Sequence, residues 1–164
     1  MNTLKLLLLC LITILGTKSY GQESGKTFKA SVVKVDITPN EPKMLLGYAV
    51  RKSTGVHDRI YHRIVAMDDG VKQFFLVSTD ICVMSPSEYD HVAAMLQKEL
   101  GIDPENFWWT LTHTHSAPEV GVPGLPEVFM GDRYKHAVDT AYTSLVERSL
   151  IKGIVDARNK LVKA

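Results

Sequence analysis

The chain has 164 residues, a formal net charge of +1 and two cysteines, Cys10 and Cys82. So even a balance offers no broad basic field for tracking nucleic acid, so no nucleic-acid partner is expected, and 45% hydrophobic with 23% charged residues is a globular composition. Cys82 alone follows the amino-terminal stretch, so no internal disulfide braces the domain and its stability must come from a core.

Residues 1–21 read as a secretory signal peptide: Lys5 precedes an apolar run from Leu6 to Leu15, and small residues follow at Ser19 and Gly21. That run is shorter than the roughly 18 to 20 residues that cross a bilayer. The mature chain, 22–164, is therefore expected to be secreted or periplasmic, with no transmembrane segment after cleavage. FKASVVKVDIT, residues 28–38, is rich in β-branched residues and alternates Val33, Val35 and Ile37 against Ala30, Val32 and Lys34, which predicts a strand stopped by Pro39. NEPKMLLGYAVRKSTGVHD has no clean period and reads as an irregular connection running over a functional face.

IYHRIVAMDD and QFFLVSTD flank Gly70 and predict a hairpin of residues 60–68 and 73–80. Ser85, Pro86, Ser87 and Glu88 form a capping box with proline at the first helical position, and Val92, Leu96 and Leu100 carry a helix to Gly101. FWWTLT, residues 107–112, predicts a short strand whose adjacent tryptophans face opposite ways. A loop with Pro118, Pro123, Gly124 and Pro126 follows. Residues from Ala137 to Leu161 then show helical spacing, in one helix or in two broken near Gly153, with no strand after it. Strands interleaved with helices predict an α/β fold, a mixed β-sheet flanked by helices, read as an incomplete portion of a larger catalytic domain.

The chemistry gathers at THTHSAP. His113 and His115 stand at the predicted exit of a strand, where residues two apart point to one side at about 6 to 7 Å backbone separation, so both imidazoles face one cavity. Neutral imidazole is a common zinc ligand, and a second ring beside a metal can move a proton near neutral pH. A catalytic zinc needs further ligands. His57 in GVHDR and Asp80 at the end of FLVSTD are candidates to line the same rim, and Asp80 alternatively caps the turn before the Ser85 helix. Tyr48, Arg59 and Arg63 read as surface side chains. No G-x-S-x-G elbow and no glycine-rich phosphate loop is present.

MLLGYA, GVHDR with Arg63 after it, a strand into DDG, FLVSTDI and THTHSAP, in this order, resemble the amino-terminal part of the neutral/alkaline non-lysosomal ceramidases and their bacterial relatives, across nearly all of residues 29–163. The resemblance implies a secreted zinc amidohydrolase that cleaves the N-acyl bond of ceramide, or of a related lipid or N-acyl small molecule, to sphingosine and a fatty acid. It implies that His113 binds zinc and that His115 stands beside the metal at the substrate amide as a catalytic residue. It places the remaining ligands, a histidine, a glutamate and a tyrosine, and a serine nucleophile beyond Ala164, so that this chain alone is expected to hold zinc weakly. Ala117 and EVGVPGLPEVF replace the family's glycine-rich continuation, so the lip of the site differs. Two alternatives follow: a catalytically inactive lipid-binding fragment, or a zinc hydrolase of the same fold acting on another amide or ester.

Overall fold

The computed structural model describes residues 27–121, 131 and 137–164. The expected signal peptide, and Pro123, Gly124 and Pro126 of the proline-rich loop, lie outside the described residues. The elements in chain order are β1 (Lys29–Asp36), β2 (Met44–Leu45), β3 (Arg51–Lys52), β4 (Tyr61–Asp68), β5 (Gln73–Thr79), α1 (Pro86–Leu100), a 3-10 turn at Pro104–Asn106, β6 (Phe107–Leu111), α2 (Thr140–Asn159) and β7 (Val162–Lys163).

The main sheet has the order β6-β5-β4-β1-β7. The β4–β5 hairpin is antiparallel and turns where Gly70 takes a φ of 82°, its N–H donating to Asp68 Oδ1 at 2.7 Å. β6 lies parallel to β5, because the chain returns through α1 before pairing again. The result is a mixed sheet flanked by two helices, as the residue pattern predicts. Alternation decides which face is covered. Val33, Ile64, Ala66, Phe75, Val77, Phe107 and Trp109 are buried in one cluster with Val92 and Leu96 of α1 and Val146, Leu150 and Ile154 of α2. Their neighbours point the other way, and Val32 and Trp108 stand 72% and 59% exposed.

Of the two readings of the closing segment, the single helix is found, and two other expectations are revised. α2 runs unbroken through Gly153, which is buried where a Cβ would meet Ile64 Cδ1 at 2.5 Å and Val35 Cγ2 at 2.7 Å. The glycine lets helix and sheet approach closely instead of ending the helix. After α2 there is a strand: β7 pairs antiparallel with β1 through Lys163 opposite Lys29. The capping box is half made. Ser85 Oγ accepts from the Glu88 N–H at 3.2 Å, but the Glu88 side chain turns to Glu147 of α2, and burial followed by that contact pushes its carboxyl up to about 7.

Candidate metal centre

β5 and β6 run parallel, so their carboxyl ends open on the same side of the sheet. The Thr112 N–H donates to the Thr79 carbonyl at 3.0 Å, which ties the two exits together one residue before His113. Beyond Thr79 the chain bends sharply, with the Ile81 N–H on the Thr79 carbonyl at 2.9 Å, and this brings Cys82 under the histidine loop. Among the described residues, Cys82, His113 and His115 form a group in which one donor atom from each lies within 4.8 Å of the others. Cys82 Sγ is 3.7 Å from His115 Nδ1, and the two imidazole centroids are 5.1 Å apart at 88°. A cluster able to coordinate a metal ion is therefore present.

The rings converge for a different reason than strand pleating. β6 ends at Leu111, and His113 itself adopts a φ of 57°, a left-handed conformation that turns the backbone between the two side chains. A loop with a reversed residue, not an extended segment, aims both imidazoles at one point. Non-glycine residues rarely hold that conformation without surroundings that fix it.

Those surroundings come from the stretch read as irregular. β2 and β3 form a small hairpin whose Leu45 bridges Pro118, and the Glu119 N–H donates to the Met44 carbonyl at 3.1 Å. Arg51 donates from Nη2 to the His115 carbonyl at 2.7 Å. At the hairpin tip Gly47 and Tyr48 both have positive φ, 117° and 58°. Gly47 lies so close to His115 that a Cβ there would fall 1.5 Å from Nδ1, and the Tyr48 ring stacks on the imidazole with centroids 4.4 Å apart. His115 is thus walled by Gly47, Tyr48 and Cys82. Burial pushes the Cys82 thiol up, in keeping with its neighbours Leu46 and Val83.

His57 and Asp80 do not join the cluster. The His57 side chain is fully exposed in the loop beside Asp58. Asp80 accepts the Tyr61 N–H on one oxygen at 3.0 Å and Arg63 Nη1 on the other at 2.7 Å, so it anchors the start of β4. Arg59 is likewise engaged with Asp36 at 2.6 Å. Tyr48 is the surface side chain that the sequence predicts, 81% exposed, and its ring nonetheless lies against His115. Cys82 escapes the sequence reading, where it enters only the disulfide argument; its place just past a strand end beside the histidine strand is the signal available.

One histidine has the opposite fate. His62, fully buried on β4, meets Thr79 Oγ1 through Nδ1 at 2.6 Å and the Val146 carbonyl through Nε2 at 3.0 Å. A carbonyl only accepts, so Nε2 carries the proton, Nδ1 accepts from the Thr79 hydroxyl, and Thr79 in turn accepts from Trp109 Nε1 at 2.7 Å. Burial holds the His62 pKa down to about 4.

No protein-family model matches the sequence, and no curated protein matches it. The fold, however, is similar to that of solved structures. A neutral ceramidase from Pseudomonas aeruginosa superposes with a TM-score of 0.70 at 21% identity, covering 85% of this chain and 23% of that one. A ceramidase complexed with C2 gives a TM-score of 0.71 at 20% identity, covering 85% and 22%. The chain is a distant, partial structural match to the bacterial neutral ceramidase fold. It spans less than a quarter of the length of either ceramidase.

Hollows open elsewhere on the described surface. One, of 560 Å³, lies by Asp68, Gly70 and Lys72 at the sheet end opposite the histidines. Another, of 240 Å³, runs beside the β2–β3 hairpin between Lys43, Lys52, Pro118 and Asp139, adjoining the loop that carries His115. No described helix is long and apolar enough to cross a membrane.

Proposed function

We propose that the protein is a zinc-dependent amidohydrolase of the ceramidase kind, secreted or periplasmic, acting on the N-acyl bond of ceramide or a related lipid amide. The observation that carries this reading is the convergence of His113, His115 and Cys82 at the carboxyl ends of parallel strands, in a chain whose fold matches ceramidases. Imidazole donors suit zinc, and zinc when bound supplies Lewis acidity that polarises a carbonyl and acidifies water. His113 would hold the metal. His115 takes one proton of the attacking water and delivers it to the departing amine, so that the C–N bond breaks to leave an amine and a carboxylic acid, which loses its own proton to solvent. Gly47 and Tyr48 fix the plane of the His115 ring, and Arg51 fixes its backbone.

Because the chain spans under a quarter of the matched ceramidases, further metal ligands outside it are part of the proposal. The same fact favours a second reading, a lipid-binding segment without turnover. Loading the chain, and a longer chain that carries the further ligands, with Zn²⁺ and following release of free amine from ceramide and from simple N-acyl amides tests both. Turnover is expected in the longer chain and is expected to be lost with a chelator and in His113→Ala. Full turnover in His113→Ala would defeat the assignment, and ceramide binding without turnover even in the zinc-loaded longer chain would favour the second reading.

A further inference from the structure

We propose that Cys82 is itself a metal ligand, so that the chain holds the ion through a thiolate as well as through His113. This inference rests on the reading of His113 as a ligand and goes beyond it, because it assigns a soft, anionic donor to a site otherwise built of imidazole.

Topology supplies the first argument. Cys82 and His113 leave neighbouring parallel strands on the same side of the sheet, and the hydrogen bond from Thr112 to Thr79 holds the two exits in register. Separate segments thus deliver donors to one point, as a site must when its ligands come from several strand ends. Distance supplies the second. On one tetrahedral zinc, a thiolate sulfur and an imidazole nitrogen lie about 3.6 Å apart, from Zn–S near 2.3 Å and Zn–N near 2.05 Å. Cys82 Sγ and a ring nitrogen of His113 lie within 4.8 Å of one another, about 1 Å beyond that span, and His115 Nδ1 stands beside them at 3.7 Å from the sulfur.

Surroundings supply the third. A buried free cysteine ordinarily packs as a small apolar group against other apolar groups. Cys82 is 3% exposed and does touch Leu46 and Val83, yet its sulfur faces the two imidazoles. When the ion binds, a sulfur–metal bond forms, the S–H bond breaks and one proton leaves to solvent. A thiolate shifts the preference of the site toward zinc, cobalt and cadmium and away from magnesium and calcium.

The test uses the full chain, reduced and metal-free, in a Cys10→Ser background so that Cys82 is the sole thiol. Co²⁺ is titrated in, and the near-ultraviolet region is followed for the thiolate-to-cobalt charge-transfer band. The expected result is a band that saturates at one equivalent and is lost in Cys82→Ser, while weaker binding that depends on His113 survives. Protection of the Cys82 thiol from alkylation by added Zn²⁺ gives a second readout should Cys82→Ser not fold. Cobalt bound through His113 with no charge-transfer band, and with the thiol still open to alkylation, overturns the assignment of Cys82 and leaves the zinc reading standing. Absence of any His113-dependent binding overturns both.

Discussion

Two regions of the molecule use imidazole in opposite ways. Beneath α2, His62 is fully buried, its two nitrogens committed to Thr79 and to the Val146 carbonyl, its pKa held down to about 4 by the loss of solvent. At the sheet rim, His113 is exposed on a left-handed backbone, and His115 is gripped by Gly47, Tyr48 and Cys82 with ring nitrogen facing sulfur. The first arrangement uses up every lone pair and proton that the ring has. The second gathers lone pairs at a point where, among the described residues, no hydrogen bonds consume them all, which is what a ligand site requires. A histidine's role here follows from what its nitrogens face, not from burial.

Truncation separates the regions most sharply. His62→Ala is expected to cost about 3 kcal/mol, since a large buried side chain is lost and the sheet-to-helix link at Val146 goes with it. His113→Ala, at an exposed position, is expected to change stability by under about 1 kcal/mol while removing metal binding. Urea unfolding beside a metal titration checks both. The acid side carries a second signature. The folded pKa of His62, about 4, lies below the ordinary value of 6.5, so the unfolded chain binds more protons between those values and stability falls as pH drops from 6.5 toward 4. That loss amounts to roughly 3 kcal/mol and should vanish in His62→Ala. Equal stability losses in the two histidine variants would erase the contrast.

The same contrast explains how much of the molecule was legible in the sequence. Strands β1, β4, β5 and β6 and both helices announce themselves through alternation, capping and helical spacing, because each buries one face against a single core. The histidine pair was legible as a motif. Its geometry was not, since a positive φ at His113 depends on a hairpin contact from residues more than sixty positions away. Gly47 looks like any loop glycine until the ring of His115 is placed against it. Gly153 left one helix or two open, because its spacing reveals nothing of Val35 and Ile64 lying across from it. β7 escaped because two residues carry no period.

Gly153 and Gly47 extend the comparison to backbone positions. Gly153→Val places a branched side chain where Ile64 and Val35 already fill the space, and about 2 kcal/mol of destabilisation is expected, with metal binding unchanged in the folded fraction. Gly47→Ala should act the other way round. Its φ of 117° costs an alanine about 1 kcal/mol, but the Cβ cannot coexist with His115 Nδ1 at 1.5 Å, so the ring must swing away. Metal affinity is expected to fall roughly 10- to 100-fold, the range for lost ligand support. Unchanged cobalt affinity in Gly47→Ala would mean that the hairpin does not position His115.

A second proton-linked effect is expected between the helices, at the start of α1. Glu88 and Glu147 meet there, with His91 Nε2 3.8 Å from Glu147 on the solvent side. Desolvation first, and then the neighbouring carboxyl, raise Glu88 to about 7. The folded chain therefore binds more protons than the unfolded chain between the ordinary carboxyl value of 4.5 and 7, and stability must fall as pH rises through that window, opposite in sign to the His62 effect. Between about pH 4.5 and 6.5 the two slopes oppose each other, so the intact protein should show a flattened profile there. Glu88→Gln removes the titration while keeping a neutral group able to donate to Glu147. The variant should match the parent near pH 4.5 and exceed it at pH 8, measured by urea unfolding at both values, and its profile should regain the unopposed rise with pH that His62 dictates. A variant less stable than the parent by the same amount at every pH would show that Glu88 is held there by packing alone, and that the helices meet without sharing a proton.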